Sequence, residues 1–171
     1  MFINLNQNKN LKLFKIISEV AGRNGQSVYA VGGFVRDLLM KRKAPTDIDF
    51  VTESSGIELA ESIAKEIDPK TKVAVFKTYG TAMFRYKDLE LEFVGARKES
   101  YSEDSRKPSV EIGTIEDDQK RRDFTINAMA ISLNKDNFGE LIDPFGGMQD
   151  LSDKILRTPL EPHQTYSDDP L

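Results

Sequence analysis

SVYAVGGFVRDLLMKRKAPTDIDFV, residues 27–51, switches between two periodicities within one short span. SVYAV, 27–31, is a short β-rich run, and Gly32-Gly33 follows at once. Phe34 to Met40 reads as a helix, so the glycine pair sits at a strand-to-helix turn. Lys41 to Pro45 makes a basic connection before Asp47 to Val51 resumes as a strand. On a strand, Asp47 and Asp49 project from one face about 7 Å apart, while Ile48 and Phe50 enter the core. Adjacent carboxylates repel, and a divalent cation is the usual remedy. Two such ions ~3.5–4 Å apart can activate a hydroxyl and neutralise a leaving phosphate group. A solvated strand face would show the same pattern, so this pair alone specifies nothing.

The glycine turn adds a second element. Glycines at such a turn let backbone N–H groups approach phosphates, and the helix start adds positive potential. Arg36 offers a fixed charge to phosphate oxygens, with Asp37 orienting it or capping local structure rather than binding metal. A plain tight turn is the competing reading. One short helix separates this turn from the acidic strand, which lets both border one cleft.

Further along, DLELEFVGAR places Glu90 and Glu92 on one strand face. Glu92 is the expected third carboxylate, because Phe93 and Val94 bring its surroundings toward the core. Glu90, nearer the turn, reads as an ordinary exposed residue. In Arg121-Arg122-Asp123-Phe124-Thr125-Ile126-Asn127-Ala128, a helix would put Asp123 and Asn127 on one face at i,i+4. The two arginines can pair with phosphates, and Asp123 and Asn127 can bond ribose hydroxyls. A charged helix face over a buried Phe124 is the alternative.

The rest of the chain fills in a scaffold. Residues 8–21 carry Leu11, Leu13, Phe14, Ile16, Ile17 and Val20 on a helical period that Asn24-Gly25 ends. Ser54 is expected to cap a helix through Ala64 with Leu59, Ile63 and Ile67 inward. β-like runs follow at 72–77, 81–86 and 89–95, the last two split by Lys87-Asp88. Arg97 to Gly113 reads as a long charged surface loop. A helix is expected from near Ile115 through RRDFTINAMAI, 121–131. After it come a strand pair around Asn137–Gly139 and a turn over Asp143–Gly147. Residues 156–171 have no evident partner element.

Composition narrows the chemistry. At 171 residues and 39% hydrophobic, the chain suits one globular domain. No run approaches the ~18 apolar residues of a membrane span, MFINLNQNKN lacks a secretory pattern, and a cytoplasmic location is expected. There is no cysteine and one histidine, His163, which excludes disulfides, thiolate sites and multi-histidine zinc centres. A metal would need oxygen ligands, favouring magnesium, manganese or calcium. The net charge of −4 argues against unspecific nucleic-acid coating yet permits a local basic track.

In order, VGGFVRDLL, TDIDFVT, YGTAMF, LEFVGAR, RRDFTINAMAI and LIDPFGGMQDLSDKILRTP run from Val31 to about Pro159. Each is weak alone, but the ordered set is specific. It resembles the head domain of class II tRNA nucleotidyltransferases and bacterial poly(A) polymerases, the CCA-adding enzyme family. The resemblance implies an α+β, polymerase-β-like nucleotidyltransferase fold, a small, mainly antiparallel sheet flanked by helices. It implies metal binding by Asp47 and Asp49, with Glu92 at the third acidic position, and Mg²⁺ or Mn²⁺ as cofactor. It further implies phosphate contacts from Gly32, Gly33 and Arg36, and nucleotide recognition by Arg121, Arg122, Asp123 and Asn127. Arg97 stands at the arginine opening the loop linked in this family to nucleotide switching. GAR here departs from the more usual Thr-Thr-hydrophobic-Arg.

By the same resemblance, Asp169 near the end, SDDPL, would read the incoming base, with Asp168 replacing a usual Glu. The arginine that completes this motif would come next. Residues 1–155 are therefore expected to be the catalytic head and 156–171 the start of a neck, truncated from a longer protein. The implied reaction adds CMP or AMP from CTP or ATP to a tRNA 3′ end, releasing pyrophosphate, with the isolated fragment expected to bind nucleotide without full activity. A poly(A) polymerase, a non-catalytic nucleotide-binding module and a structural Ca²⁺ domain are the competing functions.

Overall fold

A computed structural model describes residues 1–42, 46–100, 109–163 and 165 of the chain. The elements are α1 (Leu11–Arg23), β1 (Tyr29–Val31), α2 (Gly33–Leu39), β2 (Asp47–Thr52) and α3 (Gly56–Ile67). β3 (Ala74–Phe76), β4 (Thr81–Tyr86), β5 (Leu89–Gly95), β6 (Arg97–Ser100) and β7 (Ser109–Ile112) follow. α4 (Ile115–Lys120), α5 (Thr125–Ala128), β8 (Ala130–Ser132), β9 (Leu141–Ile142) and α6 (Gly147–Asp153) complete the series.

β2 is the middle strand of a seven-stranded sheet in the order β3-β4-β5-β2-β1-β8-β9. Among the described residues, β2 with β5 is its one parallel pair, and the others are antiparallel. The architecture is the expected α+β fold with a mainly antiparallel sheet. Period-two alternation sends Ile48 and Phe50 of β2, and Leu91 and Phe93 of β5, into the main core. α1 and α3 pack against each other and cover that face, with Phe14, Ile17, Leu59 and Ile63 fully buried. An aromatic ladder runs Phe34–Phe14–Phe50–Phe93–Phe84, with ring centroids 4.8–6.4 Å apart. On the opposite face, a smaller cluster of Val31, Val51, Ala96 and Ala130 packs with Ile115 of α4. The end carrying Asp47 and Glu90 stays open.

Local signals place the boundaries. Asn24 ends α1, and Gly25 takes φ +66°. α3 starts one residue later than expected: Ser55 accepts from the Glu58 N–H at 3.2 Å, while Ser54 Oγ accepts from Gln26 Nε2. Thr114 and Asp117 form a reciprocal capping box on α4, whose backbone and side-chain bonds from Thr114 pull the Asp117 carboxyl below its usual range.

Three expectations are corrected. The stretch 97–113 is not all loop, because β6 and β7 pair as an antiparallel ribbon. β6, Arg97-Lys98-Glu99-Ser100, is polar throughout, and the alternation of β7 lasts only four residues with Ile112 71% exposed, too little to mark a strand. The helix expected over 115–131 is broken into α4, an irregular turn and α5, and Ala130-Ile131-Ser132 is a strand. Asp123 Oδ1 accepts from the Phe124 N–H at 2.7 Å, and that local bond competes with helical hydrogen bonding. β8 is buried throughout beside β1, and such a short apolar run does not distinguish strand from helix. The strand pair expected at 137–139 gives way to a single 3-10 turn at Lys135–Asn137 followed by β9. There Asn137 Oδ1 accepts from Ser132 Oγ and its Nδ2 donates to Glu140 Oε2.

Two terminal segments are tied down. The Ile3 N–H donates to Gly139 O, Leu141 N–H donates to Met1 O, and Phe2 bridges Glu140 in antiparallel fashion along β9. At the other end, Thr125 N–H donates to Arg157 O at 2.8 Å, and Arg157 pairs with the buried Asp150 at 3.3 Å. Phe93 stacks on both Phe50 and Phe84, so Phe93→Ala is expected to cost about 3–5 kcal/mol in urea unfolding. Phe76→Ala, on a side chain 45% exposed, should stay within about 0.5 kcal/mol of wild type.

Candidate active site

The parallel register joins two acidic pairs that are distant in the chain. Asp47 lies beside Glu90 and Asp49 beside Glu92. With side chains about 7 Å apart along a strand and about 5 Å across, the four carboxylates form a block on the open face. They line a cleft of about 560 Å³ with Thr46, and Arg85, Lys87 and Asp88 stand at its rim. Glu90 pairs with Arg85 at 3.6 Å.

Electrostatics within this block are uneven. Burial pushes the Asp49 carboxyl above its ordinary range; Arg122 opposes that shift, while Asp47 and Asp118 add to it. Glu92 is raised by burial first, then by Asp49 and Glu90. In both, burial of the charged form is the main cause and neighbouring carboxylates add to it. All donors are hard oxygens, the ligand type that suits magnesium or manganese. Among the described residues, however, no three acidic or histidine side chains close on one point as a finished metal cage.

The glycine turn meets the acidic block. Val31 pairs with Asp49, so the chain reverses into α2 beside that carboxylate. Gly32 adopts φ +70°, ψ −139°. A β-carbon there would lie 3.0 Å from Arg122 Nη1 and 3.7 Å from Asp49 Oδ2. Glycine is called for by the positive φ, and the absent β-carbon leaves the Arg122 guanidinium its place against the turn. Arg122 is held by Asp118 through its Nε at 3.0 Å. Gln119, fully buried, donates from Nε2 to Ala128 O and Ile142 O, tying α4 to the end of α5 and to β9.

A second chain of polar contacts spans α2 and α5. Arg36 Nε donates to Asp37 Oδ1 at 3.0 Å, so Asp37 orients Arg36 as expected. Arg36 Nη1 donates to Asn127 Oδ1 at 2.7 Å, and Asn127 Nδ2 donates to Asp123 Oδ1 at 3.0 Å. Asp123 and Asn127 therefore meet, although not on a continuous helix: Asp123 precedes α5. Gly33 borders the same group, with Arg36 Nη2 3.5 Å from its β-carbon position.

The remaining expected residues are placed less closely. Arg121 is exposed. Arg97 opens β6 beyond the C-terminal end of β5, with its Nη2 against the Gly80 turn. Asp169 lies outside the described residues. Sequence reasoning missed Asp118 and Gln119. The i,i+4 spacing of Asp118 and Arg122 was the available sign for the first, whereas a buried Gln on a polar-looking helix leaves none.

Because Asp49 has a raised folded-state pKa, its ionised form destabilises the fold, and the penalty is present once pH exceeds that pKa. In metal-free buffer at neutral pH, Asp49→Asn is expected to melt a few degrees above wild type. The gap should narrow as pH falls through the carboxylate range, where both proteins carry a neutral side chain. Melting curves recorded across pH in EDTA check this, and an Asp49→Asn protein less stable at neutral pH contradicts it.

A family model described as the poly A polymerase head domain matches residues 28–157. The A-adding tRNA nucleotidyltransferase of Halalkalibacterium halodurans is 36% identical over 165 residues, covering 95% of this chain and 37% of that protein. The A-adding tRNA nucleotidyltransferase of Aquifex aeolicus is 46% identical over 129 residues, 75% of this chain and 15% of that one. Among solved structures, a CCA-adding enzyme in its apo form II superposes with a TM-score of 0.84 at 37% identity, covering 99% of this chain and 41% of that one. A tRNA nucleotidyltransferase complexed with a primer tRNA and an incoming ATP analog gives 0.75 at 39% identity, covering 90% and 41%. The chain thus spans well under half the length of these relatives. With its ordered motifs, its sheet topology and this match, the chain belongs to the poly(A) polymerase head-domain family of nucleotidyltransferases.

Proposed function

We propose that this chain is the catalytic head of a template-independent RNA nucleotidyltransferase that adds CMP or AMP from CTP or ATP to the 3′ end of tRNA. The observation that carries this reading is the β2–β5 register, which sets Asp47–Glu90 and Asp49–Glu92 beside the Gly32 turn and Arg122. In-line attack by the RNA 3′-hydroxyl on the α-phosphorus forms the new phosphodiester and breaks the α–β bond, and pyrophosphate leaves. The backbone of Gly32 and Gly33, with Arg36, Arg121 and Arg122, receives the triphosphate. Asp123 and Asn127, already bonded to each other, face the ribose hydroxyls. Arg97 acts at the nucleotide-linked loop, and Asp169 reads the base.

Asp47 and Asp49, with Glu92, would hold Mg²⁺ or Mn²⁺. Their fit rests on the excess of half-buried negative charge and on an oxygen-only donor set. Bound there, divalent ions lower the pKa of the attacking hydroxyl and offset triphosphate charge. Solved relatives captured with ATP, with CTP, and with a primer tRNA and an ATP analog support the same substrate classes. The family description itself favours a second reading, open-ended AMP addition by a poly(A) polymerase, with the same residues in the same roles.

Within the longest gene product that contains this chain, Asp47→Asn and Asp49→Asn should each abolish incorporation of labelled CTP and ATP into tRNA lacking its 3′ end. Retained turnover in both variants overturns the assignment. A product that stops within three nucleotides supports terminal repair, and a long A tract supports the second reading. Glu92→Gln should lower kcat more than Glu90→Gln does; the reverse order moves the third carboxylate role to Glu90.

A further inference from the structure

A nucleotidyl transfer brings two polyanions to one set of carboxylates, and the features described so far receive only the triphosphate. Those features lie on the β1 side of β2: the Gly32 turn, Arg36 and Arg122. On the other side lies β5, whose hairpin with β4 ends at Lys87-Asp88. A second cleft of about 380 Å³ opens there, lined by Lys9, Lys12, Thr46, Lys87 and Asp88 among others. Thr46, Lys87 and Asp88 also line the acidic cleft, so the two are continuous.

Lys9, Lys12 and Lys87 are exposed, and among the described residues no carboxylate forms an ion pair with any of them. They concentrate positive charge locally on a chain whose net charge is −4. Lys87 also holds a backbone conformation with φ +55°, at a two-residue hairpin position where Gly, Asn or Asp is the usual occupant. A lysine in this disfavoured position, at the junction of the two clefts, directs attention to its charge. Its ammonium lies 5.2 Å from the Tyr86 ring centroid, above an aromatic face that also borders the second cleft.

We propose that Lys9, Lys12 and Lys87 form a track for the sugar–phosphate backbone of the RNA strand whose 3′-hydroxyl is extended. The track leads the strand over the β4–β5 hairpin to the carboxylates from the side opposite the triphosphate. It recognises phosphates rather than bases. This inference rests on the transfer reading above, since it supplies that reaction's second substrate.

The test measures binding of a fluorescein-labelled 12-nucleotide single-stranded RNA with a free 3′-hydroxyl, by anisotropy over a salt series. Binding of ATP with Mg²⁺ is measured in parallel by calorimetry. The triple variant K9S/K12S/K87N, with Asn chosen to suit the Lys87 backbone, should weaken RNA binding about tenfold or more at low salt. Its slope of log affinity against log salt should be shallower by about 2, from about 0.7 per lost phosphate contact. ATP affinity should stay within about twofold, and K9R/K12R/K87R should restore RNA binding. Unchanged RNA affinity in the triple variant, or no RNA binding by the wild-type chain that still binds ATP, overturns the track and leaves the transfer reading standing. Equal competition by a poly-glutamate peptide also overturns it, by marking the patch as a dock for an acidic protein. Failure of the wild-type chain to bind ATP strikes the transfer reading itself, and the track falls with it.

Discussion

Parallel pairing between β2 and β5 is the constraint on which the site depends. A parallel pair needs a long crossover, and here α3, β3 and β4 occupy it. The same residues that close the crossover therefore build the core: α3 covers Phe50 and Phe93, and β4 adds Phe84 to the ring ladder. Tight packing on one face holds the carboxylates at fixed spacing on the other, because consecutive side chains on a strand cannot move independently. Electrostatic strain between Asp49 and Glu92 is sustained by the hydrophobic face beneath them.

Around this block, charge is distributed by side chains that first bind one another. Arg122 is held by Asp118, and Arg36 by Asp37 and Asn127. Such pairing reduces the rotamer freedom that a ligand would otherwise have to remove. Gln119 extends the arrangement inward by bonding two carbonyls from different elements, so α4 carries Arg122 toward Gly32 as part of a fixed scaffold. The side chains near the Gly32 turn are thus preorganised on rigid elements, while the carboxylates of β2 and β5 remain under mutual repulsion.

Much of this was legible in the chain itself. Period-two alternation in TDIDF and LELEF identified both acidic pairs and the residues beneath them, because strand geometry dictates which side chains share a face. The union of the two pairs was not legible: register between segments far apart in sequence is settled by tertiary packing. RRDFTINAMAI misled for a related reason. Its apolar end is buried on all sides beside β1, and complete burial erases the periodicity that separates helix from strand. Asp123 and Asn127 nevertheless came together, through a direct hydrogen bond across an irregular turn rather than through helical spacing. The β6–β7 ribbon escaped notice because β6 is polar throughout and the alternation in β7 spans only four residues.

The strap formed by residues 1–3 along β9 has a consequence for how the molecule behaves in company. By taking up the outward amide and carbonyl groups at Gly139–Leu141, it closes that margin of the sheet to a foreign strand. The opposite margin is β3, only three residues long and carrying the half-exposed Phe76. Within the seven-stranded sheet, strand addition is thereby left to β3 alone among the described residues, a short template for a sheet of this width.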